Sequence, residues 1–192
     1  FEMDPIQNEL HELLRNYFAA ELKIGNDRKL LAEIIRLQRI MMYAIMVASN
    51  PVIINNKRFH DVINSADPEL YEKMISAKKL VNVNDFGPKF RYACNRAREL
   101  AKEGKKVLIW TSFVENVALI ANELEDLGAV FIRGDVPTEE GRDDPFQHYN
   151  DASDEEEATR EKRIHKFKTN DDCMVMVANP AAAGEGISLH DV

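Results

Sequence analysis

Residues 106–113 read KVLIWTSF, and residues 173–189 read CMVMVANPAAAGEGISL. Each stretch opens on a short apolar run and closes on small or hydroxylated residues. Val107-Leu108-Ile109-Trp110 and Cys173-Met174-Val175-Met176-Val177-Ala178 lack the polar alternation of a strand with one wet face. Both therefore read as strands buried on two faces. Ala129-Val130-Phe131-Ile132 is a third run of the same kind. The apolar spacing predicts a helix over about 115–127, stopped by Gly128, and another over about 156–167. Strands alternating with helices of this length mean βαβ units and a parallel sheet. The expected class is α/β.

Upstream of Lys106 the texture is helical. Residues 5–22 carry Ile6, Leu10, Leu13, Leu14 and Tyr17 at helical spacing, with Asp4 as a cap and Pro5 at the first position. Gly25 and Asn26 break the pattern. A second helix over about 27–48 carries Leu30, Leu31, Ile34, Ile35, Leu37, Ile40 and Met41, and stops at Asn50-Pro51. Asp67-Pro68 starts a third helix running toward Leu80. A loop is expected at 81–87, and Pro88 starts a fourth helix that ends at Gly104. This divides the chain into a mainly helical part, 1–86, and an α/β part, 87–192. There is no internal repeat.

The 192 residues are 45% hydrophobic and 30% charged, as expected of a chain with a real core. The longest apolar candidate, residues 40–54, is interrupted by Ser49, Asn50 and Pro51, short of the roughly 20 residues that span a bilayer. Glu2 and Asp4 stand where a signal peptide has basic residues. Cys94 and Cys173 are far apart, with neither a CxxC pair nor a Cys/His cluster. No metal site or disulfide framework is expected, and a reducing compartment, cytoplasmic or nuclear, is. The formal charge of -8 is unevenly spread. Residues 1–104 hold 16 Lys and Arg against 14 Asp and Glu, and the remainder 9 against 19. Residues 139–157 alone hold nine acids and one base. Local fields steer a polyanion more than net charge does, so the sum does not exclude nucleic acid. The acidic stretch reads first as a solvated insertion, and second as a regulatory mimic of nucleic acid.

In an open α/β sheet, ligands bind outside the carboxyl ends of the strands. At the first such end, Thr111 and Ser112 precede a helix. They can cap it, or its free N–H groups can hold a phosphate. At the last, Asn179-Pro180-Ala181-Ala182-Ala183-Gly184-Glu185-Gly186-Ile187-Ser188 is a loop of tiny residues. It reads either as a tight turn or as a backbone nest for an anion. Lys57, Arg58, Lys78, Lys79, Lys89, Arg91, Arg96 and Arg98 form a basic patch or merely solvated helix faces. His60, His148 and His165 have no metal-ligand spacing. Met41, Met42 and Met46 read as core packing, and Trp110 as packing rather than base stacking.

Taken in order, VLIWTSF (residues 107–113), Arg160-x-x-x-Ile164-x-x-Phe167 and PAAAGEGISL (residues 180–189) resemble motif IV, the following helix and motif V of the second RecA-like lobe of superfamily 2 helicase-like ATPases. The Snf/Swi class of DNA translocases is the nearest likeness. Ile132-Arg133-Gly134-Asp135 resembles the strand end before that helix. Met3-Asp4-Pro5-Ile6-Gln7 resembles the family's opening helix with its Gln, Leu37-Gln38-Arg39-Ile40 up to Asn50-Pro51 its Leu-Arg-x-Ile…Pro segment, and Gly87-Pro88-Lys89-Phe90 the approach to motif IV. The likeness covers nearly the whole chain. Three departures stand out: Glu185 separates Gly184 from Gly186, Ser188 replaces the family's Asp or Asn, and the insertion after Asp135 is long.

The resemblance implies a partial RecA-like sheet with flanking helices, preceded by a helical subdomain. It assigns Gly184, Glu185, Gly186 and Ser188 to ATP, held with Mg2+ against a first RecA-like lobe, and Thr111, Ser112, Arg133, Gly134, Ala182 and Ala183 to the backbone of duplex DNA. The chain contains neither a Gly-x-x-x-x-Gly-Lys-(Ser/Thr) phosphate loop nor an Asp-Glu-x-His box. It stops at Val192, before the family's arginine motif, so the fragment alone is expected to be catalytically inactive. A catalytically dead interaction module and a lobe of an RNA helicase are the competing expectations.

Overall fold

Residue spacing explains the first helices directly. In α1 (Pro5–Lys23), Gln7, Leu10 and Leu14 recur at three and four residues and are all buried. In α2 (Leu31–Ser49), Leu37, Ile40, Ala44 and Val47 do the same. The computed structural model describes residues 2–23, 31–78, 86–138 and 159–183. Expectations that fall on residues 139–157, on the loop at 81–85 and on Gly184, Glu185, Gly186 and Ser188 lie outside them. The chain divides into two units, Phe1–Arg91 and Tyr92–Val192.

Among the described residues the first unit is all helical. α1 packs along α2 and against α4 (Pro68–Lys78), while α3 (Lys57–Ala66) packs on α2 and α4. Helix α3, and the 3-10 turn Pro51–Asn55 before it, are additions to the sequence expectation. Local caps define them: Asn50 accepts from Val52 N, Asn56 from Arg58 N, and Asp67 from Glu69 N and Leu70 N. Gln7, the polar residue on α1's inward face, is 2% exposed. Its Nε2 donates to Val47 O (2.8 Å) and Ala48 O (3.0 Å), satisfying carbonyls at the end of α2. Asp4 extends α1 through its carbonyl, which accepts from Asn8 N, while its carboxylate pairs with Arg91. Methionine packing divides: Met46 is buried, whereas Met42, one turn before it, is 47% exposed, as are Ile35 (40%) and Ile45 (49%). Helix α2 is apolar around most of its circumference, so sequence alone does not say which face turns inward.

The second unit is α/β. It takes in most of α5 (Pro88–Lys102), which leads to β1 (Val107–Trp110), α6 (Val114–Glu123), β2 (Val130–Ile132), α7 (Arg160–Thr169), β3 (Val175–Ala178) and the short α8 (Pro180–Ala183). The strands form one parallel sheet in the order β1-β3-β2. Val107 aligns with Val175, and Val130 with Met176. Aligned side chains share a face, so Leu108, Met176, Val130, Ile132 and Ala178 turn together toward Ile164 and Phe167 of α7. Val175 and Val177 turn to the other face, where α6 packs. Right-handed crossovers require this division: α6 steps past β3's position to reach β2, and α7 steps back.

Of the three described strands, β3 alone is fully buried along its length. β1 lies at an edge of the sheet and is half-buried, with Trp110 46% exposed. The expectation of burial on both faces therefore holds for β3 and fails for β1. A run of four apolar residues does not reveal its place in the strand order. Among the described residues no helix is long and apolar enough to cross a membrane.

Candidate nucleic-acid interface

All three strands run parallel, so their carboxyl ends come out along one edge of the sheet. That edge carries Thr111 and Ser112 after β1, Arg133 and Gly134 after β2, and Asn179 to Ala183 after β3. The six sequence-assigned nucleic-acid residues thus occupy one edge of one unit.

The β1 end is held by its own backbone. Thr111 N continues the ladder to Ala178 O at 3.0 Å. Its hydroxyl accepts from Phe113 N at 3.3 Å, forming a local turn. Neither Thr111 nor Ser112 caps α6. The cap position falls to Phe113, whose backbone is extended (φ -97, ψ 114) and which offers no side-chain hydrogen bond. Ser112 is exposed, and its hydroxyl and N–H form no hydrogen bond with another described residue.

At the β2 end, the Arg133 Nε donates to Asp135 Oδ1 at 2.6 Å, and the guanidinium lies 5.4 Å from the Phe131 ring centre. Its charge is thus partly neutralised in place. Gly134 is exposed, and a Cβ built on it would meet no atom within 4 Å.

Two side chains absent from the sequence assignment tie these ends together. Asn179 is 5% exposed and uses every polar group it has. Its N–H donates to Ile132 O (3.0 Å), and its C=O accepts from Ala182 N and Ala183 N (3.0 Å each). Its Nδ2 donates to Thr111 O and Ser112 O (3.1 Å each), while Oδ1 accepts from Ala181 N (3.0 Å). One residue therefore touches all three strand ends. Arg160 makes the second tie. Nε donates to Val136 O (2.7 Å), Nη1 to Ala182 O (3.1 Å) and Nη2 to Gly134 O (3.3 Å), joining the β2 end to α8. A readable signal existed for each. Asn before Pro at the end of a buried strand is a cap signature, and Arg160 opens a helix at the sheet's carboxyl edge.

Three of the basic residues are ion-paired within their own unit. Arg91 pairs with Asp4, Arg96 with Glu99, and Arg98 with Glu123 and Asp126. Lys57, Arg58 and Lys89 are exposed, and the side chains of Lys78 and Lys79 lie outside the described residues. His60 sits edge-on between Phe59 and Tyr71, its ring centre 5.8 Å from each, as a packing residue. His165 is exposed. Among the described residues no group of three or more His, Cys, Asp or Glu is placed to hold a metal ion.

What this edge can offer an anion is a hydroxyl, backbone groups and the open surface at Gly134. Of the two assigned alanines, Ala183 is 3% exposed in the core with Val130, Ile132 and Phe167, and Ala182 packs against that core, so they present little free surface. Comparison with protein-family models, with curated proteins and with solved structures finds no match.

Proposed function

We propose that the chain is the second RecA-like lobe of a Snf/Swi-type, ATP-driven translocase that moves along duplex DNA. The observation that carries this reading is the convergence of Thr111-Ser112, Arg133-Gly134 and Ala182-Ala183 on one sheet edge. These three pairs are far apart in sequence and belong to three runs that resemble the family in the family's own order. The strand order β1-β3-β2 adds support, because the chain reverses direction across the sheet, and open α/β sheets bind ligands where it does so.

In this reading, Ser112 and the backbone around Gly134 hold phosphate oxygens, which positions the duplex without selecting its sequence. Asn179 and Arg160 keep those groups in register. ATP bound with Mg2+ against a first lobe supplies the phosphoryl-transfer energy. Gly184, Glu185, Gly186 and Ser188 are this chain's assigned contacts to it. The place of action is wherever duplex DNA is kept, cytoplasm or nucleus.

The test joins this lobe to a first RecA-like lobe bearing a phosphate loop, and measures ATP hydrolysis with and without duplex DNA. Stimulation by duplex, weakened by Ser112→Ala, is the expected result. A joined protein that hydrolyses ATP at the same rate with and without duplex points instead to an interaction module. Stronger stimulation by single-stranded RNA in direct competition points to an RNA helicase lobe.

A further inference from the structure

Asn179 does more than its place in the turn requires. It precedes Pro180 and caps the short α8 through Oδ1 and Ala181 N. A cap of that kind needs only an acceptor, and Ser or Asp serves as well as Asn. The donor half of the amide has a different use: Nδ2 holds Thr111 O and Ser112 O together, both at 3.1 Å. Turning those carbonyls inward has a consequence on the other side of the peptide. In a trans peptide the N–H points opposite to its C=O. With Thr111 O drawn to Asn179, the Ser112 N–H faces away from it, and the Ser112 hydroxyl is exposed beside it. Phe113 N, the next donor, is already taken by Thr111 Oγ1.

We propose that Asn179 is a positioning residue for phosphate binding at Ser112, acting by turning the Thr111 and Ser112 carbonyls inward so that the Ser112 N–H and hydroxyl face the ligand. This rests on the nucleic-acid reading above and names the residue that shapes its β1 contact. The ligand is a phosphodiester oxygen of duplex DNA.

The experiment uses the whole chain and a fluorescein-labelled duplex of mixed sequence, with affinity measured over a series of salt concentrations. Asn179→Ser keeps an acceptor for Ala181 N but is too short to reach the β1 end. It is expected to weaken binding about tenfold, as loss of a hydrogen bond to a charged group does. The slope of log affinity against log salt should stay at the wild-type value, because the Ser112 hydroxyl and N–H carry no charge and release no counterion. Ser112→Ala should show the same loss at the same slope, and the double variant should be no weaker than either single one. Losses that multiply, or a changed slope in Asn179→Ser, would overturn the proposal while leaving duplex binding intact. A wild-type chain that does not bind duplex at all overturns the nucleic-acid reading, and this proposal with it. If Asn179→Ser fails to fold, the Ser112 amide resonance of the wild-type chain decides. It should shift on titration with duplex, and an unmoved resonance in a chain that binds rules the proposal out.

Discussion

Two glycines on the α/β unit answer to opposite constraints. Gly128 has φ +60, and a Cβ there would lie 2.4 Å from the Asp172 carbonyl oxygen. Gly128→Ala should cost on the order of 3 kcal/mol, combining left-handed strain with a backbone clash, and a urea titration measures it. Gly134 has ordinary φ and open space around it. Gly134→Ala should leave stability unchanged within about 0.5 kcal/mol in the same titration. It should nevertheless weaken duplex binding, because only an approaching ligand has use for the missing methyl's volume. Equal affinity of Gly134→Ala and wild type would remove Gly134 from the interface. A third residue gives a pH dependence. Burial, with the nearby Glu123 charge and against the opposing Arg98, raises the Cys94 thiol from 9.0 to about 11. Below pH 9 both folded and unfolded forms keep the proton, so stability is unaffected. Above it the unfolded chain ionises first, and stability should fall until the folded thiol ionises near pH 11. Cys94→Ala should lack that decline in denaturation midpoints measured across the window.

At the scale of elements, α7 is secured at both ends by groups outside its own sequence pattern. Thr159, fully buried, accepts from Lys162 N at the start. Lys106, just before β1, donates from Nζ to Phe167 O and to Asn170 O (2.7 Å) at the finish. Charge at a helix C-terminus also favours this lysine. Lys106→Met keeps the aliphatic stem and removes both bonds, so it should cost about 1–2 kcal/mol in chemical denaturation. Arg163 fastens the middle of the same helix to β2, donating to Phe131 O at 2.8 Å with its guanidinium 4.3 Å from the Phe131 ring. These ties hold Arg160 over the strand ends, which is why a helix with a weakly apolar face can position the site. Its existence was legible from Ile164 and Phe167. Its anchoring was not, because Lys106 and Phe131 are remote in sequence.

For the whole molecule, the two units draw on different physics. The helical unit's elements are set by periodicity and by local caps at Asn50, Asn56 and Asp67, with Gln7 and Asp4 adding ties to distant residues. The α/β unit depends on non-local pairing between residues up to 68 positions apart, as in the Asn179 bond to Thr111. Since the chain carries no phosphate loop, it should hydrolyse no ATP by itself, with or without DNA. Turnover by the chain alone that disappears in Gly186→Ala would contradict the proposed division of labour between lobes. By itself the sequence determined the class: continuous apolar runs separated by amphipathic helices admit a parallel sheet and little else. It also determined that the hydroxyl, glycine and alanine residues fall at strand ends. Strand order, the half-exposed edge position of β1, and the meeting of three strand ends through Asn179 and Arg160 were decided only by the tertiary structure. The reason is physical. Local spacing records which way each side chain faces, whereas the partner of a buried amide or guanidinium is set by how distant segments pack.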